Sequence, residues 1–86
     1  MYVILMYDIN EKRVGKMLKL CRRYLHWIQN SVFEGELTDV QLKRLKSEAK
    51  GIMEDADSLI IFKSKDERWL DKEVVGDEKN KIDNFL

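Results

Sequence analysis

"YVILMYDIN" at residues 2–10 decides how the chain is read. Tyr2, Val3, Ile4, Leu5 and Met6 run on without a polar interruption, and the run then stops at a carboxylate, Asp8. A strand apolar on both faces belongs in the middle of a sheet, covered on each side, and this one is expected over residues 1–9. Asn10 is a good N-cap, and Glu11 puts negative charge in the first turn of the helix that follows. Val14, Met17, Leu18, Cys21 and Leu25 recur at helical spacing, which predicts an amphipathic helix of about four turns.

Beyond that helix, "LHWIQNSVFEGEL" is rich in β formers around a polar middle. It reads as two short strands bent near Gln29, Asn30 and Ser31, in preference to one long strand. "TDVQ" supplies a capping box, Thr38 as N-cap and Gln41 three residues on. Leu42, Leu45, Ala49, Ile52 and Met53 form the stripe of a second helix. "DSLIIFKS" reads as a second fully apolar strand, residues 66–71 as a turn of helix, and "KEVVG" as a brief strand. Strand, helix, strand pair, helix, strand is the order of an α+β ferredoxin-like sandwich, with two helices on one face of an antiparallel sheet. The other face is left bare, so a homodimer with its sheets packed face to face is expected. The domain is read as residues 1–76 and a C-terminal extension as 77–86. In that extension Ile82, Phe85 and Leu86 seek a dry surface, either on their own domain or at the sheet edge of a partner subunit.

A chain of 86 residues makes one small domain, for which oligomerisation is a common way to add core. Sixteen basic residues balance 16 acidic ones, so attraction to nucleic acid must come from local clustering. Cys21 is the lone cysteine and His26 the lone histidine, which excludes an intrachain disulfide and a Cys/His zinc site within one chain. No stretch reads as a signal peptide or a membrane span, and a cytoplasmic location is expected. Gly15, Gly35, Gly51 and Gly76 are too scattered for a nucleotide-binding fingerprint.

Asp8 admits two readings. It could cap the first helix or bond the strand-to-helix turn. Alternatively, held rigidly at the carboxyl end of a central strand, it could serve a hard divalent ion such as Mg2+, which needs only one or two protein carboxylates. One chain offers a single such Asp; a two-fold dimer offers two. The first helix carries Lys12, Arg13, Lys16, Lys19, Arg22 and Arg23 against the one acid Glu11. Lys12, Lys16, Lys19 and Arg23 share a face that, together with Arg13, could track phosphates or be simply solvated. Cys21, on the apolar stripe, and Trp27 and Phe33 are read as packing residues, and Ser31 has no triad partner.

Three segments together resemble the small CRISPR-associated endoribonuclease family, the lesser subunit of the spacer-acquisition complex. They are "YVILMYDIN" at 2–10, "RRYLHWIQNSVFEGEL" at 22–37, and the "DSLIIFKS" strand after the second helix, and the likeness covers nearly the whole chain. Its most specific element is "QNSVFEGEL", set at the family's distance from the strand-borne Tyr-Asp pair. The resemblance implies a homodimer whose two copies of Asp8, each with Tyr7 beside it, hold one Mg2+ at the seam. It carries the family's serine and phenylalanine onto Ser31 and Phe33. Trp27 stands where some members have a basic residue, a departure that removes any arginine role there. The implied activity is metal-dependent cleavage of single-stranded RNA or double-stranded DNA, alongside an integrase subunit. The alternatives are a non-catalytic DNA-holding scaffold or a related toxin-type ribonuclease.

Overall fold

The central strand β1 runs over Tyr2–Asp8, and the structure, a computed structural model, describes residues 1–80. Helix α1 (Glu11–Tyr24) follows, then β2 (His26–Gln29), β3 (Val32–Glu36), α2 (Asp39–Ile52), β4 (Ser58–Ser64) and a 3-10 turn over Glu67–Trp69. The sheet order is β2-β3-β1-β4, and every pairing is antiparallel. That is the ferredoxin-like arrangement, with β1 flanked by β3 and β4 as its uninterrupted apolar run demands.

Local signals act where the sequence places them. Asn10 caps α1 by accepting the Lys12 N–H at 2.9 Å, and Thr38 and Gln41 complete the capping box of α2. The bend between β2 and β3 turns at Asn30, whose φ of 46° lies in the left-handed region that Asn tolerates. Gly35 lies close beneath the end of α1: a Cβ there would stand 3.0 Å from Leu25 Cδ2, tight enough that the Leu25 side chain would have to shift by a few tenths of an ångström.

Alternation along β1 divides the molecule. Val3, Leu5 and Tyr7 are buried under the helices with Phe33, Leu37, Met17, Leu20, Cys21, Leu42, Leu45 and Ala49. The Tyr7 ring stacks on Phe33 with centroids 6.1 Å apart. Tyr2, Ile4, Met6 and Asp8 take the opposite face, opposite Ser64, Phe62, Ile60 and Ser58 of β4. Among the described residues neither α1 nor α2 covers that face, and residues 67–77 border only its β1–β3 side. Ile60 is 49% and Phe62 57% exposed.

Three expectations change. Leu20, not Val14, completes the buried row of α1; Val14 is exposed, in the first turn at the rim of the sheet. β4 is apolar on both faces but covered on only one: α1 and α2 lie on the core side, so Leu59 and Ile61 pack there while Ile60 and Phe62 are exposed. "KEVVG" is not a strand, because residues 72–76 pair with no strand among the described residues. Instead Lys72 donates to Glu34 at 2.6 Å, and Glu34 also accepts the Tyr2 hydroxyl at 2.7 Å. This segment borders a cleft of about 440 Å³ over the β1–β3 side of the open face, lined by Ile4, Val32, Leu70 and Val74. Ile82, Phe85 and Leu86, the apolar end of the expected 77–86 extension, lie outside the described residues.

Candidate metal and nucleic-acid site

The carboxylate of Asp8 is exposed and takes no hydrogen bond or ion pair from any described residue. Capping does not occupy it, since Asn10 caps α1. It sits on the last residue of the central strand, in register with Ser58, on the same face as Ile4 and Met6. A carboxylate with no partner among the described residues, at the rim of the sheet face that carries Ile4 and Met6, is available to a group outside them. Among the described residues no group of three or more His, Cys, Asp or Glu is placed to hold a metal. A lone exposed carboxylate of this kind has the oxygen chemistry a hard cation takes, though only as one part of a larger donor set.

The turn behind Asp8 is built around Asp57. Its side chain is 1% exposed and accepts the Asn10 N–H at 3.0 Å and the Glu54 N–H at 2.9 Å. It also accepts two N–H groups of Arg13, from Nε at 2.9 Å and Nη2 at 3.0 Å. The two backbone N–H groups, then the Arg13 guanidinium, hold its carboxyl below the usual carboxylate range. Arg13 also reaches Glu54 at 2.5 Å. Sequence reading missed Asp57 because its partner lies 44 residues away, and a carboxylate just before a strand carries no local mark of pairing.

The basic residues of α1 separate into two kinds. Lys12, Lys16, Lys19 and Arg22 are exposed and make no ion pair with a described residue. Arg13 is committed to Asp57, and Arg23 donates to Glu48 at 2.7 Å. Glu48 also accepts the Tyr24 hydroxyl at 2.6 Å, so Arg23 and Tyr24 tie α1 to α2. Lys16, Lys19 and Arg23 line one shallow groove with Leu20, Glu48, Gly51 and Ile52. This groove lies in the helix layer, across the sheet from the face to which Asp8 belongs. Lys12, in the first turn of α1, is the lysine at Asp8's end of the sheet.

The remaining candidates have structural duties. Tyr7 and Phe33 are core residues on the helix side, and burial raises the Tyr7 hydroxyl pKa. Ser31 lies in the β2–β3 turn, where its carbonyl accepts the Tyr7 N–H at 3.2 Å and ties that turn to the end of β1. Trp27 packs against the core and donates its indole N–H to the Asn30 carbonyl at 2.9 Å. Burial pushes the Cys21 thiol up to about 12, far from a reactive thiolate.

Fold and site thus define a small ferredoxin-like protein with an uncovered apolar sheet face, an unpartnered carboxylate at its rim and unpaired lysines on its helix layer. Comparison with known proteins carries the assignment further. Residues 1–72 match the family model described as CRISPR associated protein Cas2. A CRISPR-associated endoribonuclease Cas2 of Fusobacterium nucleatum is 53% identical, the alignment covering 100% of this chain and 87% of that one. Its counterpart in Dictyoglomus turgidum is 42% identical over the full length of both chains. A crystal structure of Cas2 superposes with a TM-score of 0.86 at 46% identity, covering 92% of this chain and 90% of that one. Streptococcus pyogenes Cas2 at pH 6.5 gives a TM-score of 0.76 at 29% identity, covering 88% and 100%. The chain belongs to the Cas2 family of CRISPR-associated proteins. No helix among the described residues is long and apolar enough to cross a membrane.

Proposed function

We propose that this protein is a homodimeric, Mg2+-dependent endonuclease subunit of CRISPR adaptation that works with an integrase partner. The observation that carries the reading is the free Asp8 carboxylate at the end of β1, on the uncovered sheet face. Packing two such faces about a two-fold axis buries Ile60 and Phe62 and gives each Asp8 a symmetry mate. Two carboxylates, one from each subunit, would hold the ion, which supplies Lewis acidity toward a phosphodiester.

This chain's own residues do the rest. Asp8 would contribute half of the protein ligands, waters filling the remaining positions, and its place on a strand in the middle of the sheet keeps that carboxylate rigid. Lys12, at Asp8's end of the sheet, helps to align the phosphate backbone there, while Lys16 and Lys19 on the helix layer attract it without reading sequence. The name endoribonuclease shared by the relatives supports RNA as a substrate; single-stranded RNA is the proposed form, with double-stranded DNA as the other candidate. Asp8→Asn is expected to abolish cleavage in Mg2+ while leaving a folded dimer. Cleavage at the parent rate would overturn the reading.

A second reading has its own support. Lys16 and Lys19 lie across the sheet from Asp8, so the helix layer can hold nucleic acid whether or not Asp8 acts. The protein would then be a non-catalytic scaffold for spacer DNA. Under that reading Asp8→Asn leaves spacer acquisition intact, whereas reversing the charges at Lys12, Lys16 and Lys19 impairs it.

A further inference from the structure

We infer that Asp57 and Arg13 are positioning residues for Asp8: they lock the turn behind it so that its carboxylate can meet a shared cation with little reorganisation. The inference rests on the reading of Asp8 as a cation ligand. Asp8 is the last residue of β1 and pairs in register with Ser58, the first of β4. Asp57 directly precedes Ser58, and its carboxylate accepts the N–H of Asn10, two residues after Asp8. One side chain thereby fastens the strand end carrying Asp8 to the strand beside it. The N–H of Glu54 and the fork of Arg13 fasten the same carboxylate from the α2 and α1 sides.

The clasp is largely shielded, the Asp57 side chain being 1% and that of Arg13 22% exposed. Arg13 is therefore removed from the set of phosphate-contacting residues, and its guanidinium serves geometry. An ion shared by two copies of one carboxylate draws only one protein ligand from each subunit. Any looseness in that ligand is doubled by symmetry. Outer partners of metal ligands typically change affinity about 10- to 100-fold when removed, and ligand placement has to hold to within roughly 0.5 Å.

The test is Mn2+ binding to the purified dimer, read by titration calorimetry without nucleic acid, in wild type, Asp57→Asn, Arg13→Met and Asp8→Asn. Asp57→Asn and Arg13→Met are each expected to weaken Mn2+ about tenfold. Arg13→Met is also expected to bind single-stranded RNA in EDTA as wild type does, whereas a phosphate-contacting arginine would lose affinity there. Should Asp57→Asn not fold, Arg13→Met carries the test through both readouts. If the clasp only stabilised the fold, melting temperature would fall while the folded dimer bound Mn2+ normally. That result, with Asp8→Asn unable to bind, would overturn this inference and leave the role of Asp8 standing. Undiminished Mn2+ binding by Asp8→Asn would overturn both.

Discussion

Phe62→Glu is the most informative perturbation of the assembly. Phe62 lies opposite Ile4 on the uncovered face and is 57% exposed. Fully burying a Phe side chain stabilises by about 1.5–3 kcal/mol, so covering the half that stands free contributes roughly 1–1.5 kcal/mol. A two-fold interface contains the residue twice, which makes about 2–3 kcal/mol lost from the apolar contribution alone. At about 1.4 kcal/mol per decade, the dimer dissociation constant should rise by about thirty- to a hundredfold. Two carboxylates facing a dry surface would raise it further. Sedimentation equilibrium over a concentration series reads the constant directly. Val40→Glu is the control, because Val40 is 59% exposed but sits on α2, in the helix layer. The reasoning is refuted if Phe62→Glu dimerises as tightly as wild type, or if Val40→Glu weakens the dimer equally.

Three further outcomes are expected. Lys16→Glu with Lys19→Glu should weaken nucleic-acid binding and reduce the salt slope by about 0.7 per lost single-strand phosphate contact, measured by fluorescence anisotropy across a KCl series. Leu5→Ala, at a fully buried position in the central strand, should cost about 2–5 kcal/mol in urea unfolding. The third concerns acid. The Asp57 carboxyl is held below its unfolded value of about 3.9, so its contribution is complete above that pH and disappears as pH falls through the lower folded value. Urea melts from pH 7 down to pH 2 should therefore show a stability gap between wild type and Asp57→Asn that is level near neutrality and narrows below about pH 4. A gap that widened on acidification would contradict the assignment.

How much of this was legible in the residues depended on whether the deciding interaction was local. The capping box at Thr38 and Gln41, the Asn10 cap and the Asn30 bend are set by neighbours a few residues apart, and the sequence reading located all of them. β1 was recognisable because a central strand must be apolar on both faces. β4 showed the same apolar pattern for the same reason: its Ile60 and Phe62 share the open face with Ile4 and Met6 of β1, and hydropathy cannot say whose cover that face takes. Arg13 and Lys12 look alike as neighbouring cations in one helix. Only the return of the chain to Asp57 distinguishes the buried clasp from the free lysine. Tyr7 and Phe33, adjacent in motif to Asp8 and Ser31, belong to the core by strand alternation, which assigns Tyr7 to the helix side and Asp8 to the open side. "KEVVG" had strand composition, yet a strand needs an edge to pair with, and residue type alone does not supply one.

The central claim is that symmetry brings two Asp8 carboxylates together around one cation. Its most direct test is the stoichiometry of Mn2+ bound to the purified dimer by titration calorimetry. The account predicts one ion for every two chains in wild type and none in Asp8→Asn. One ion per chain, or binding that survives the loss of Asp8, would contradict it.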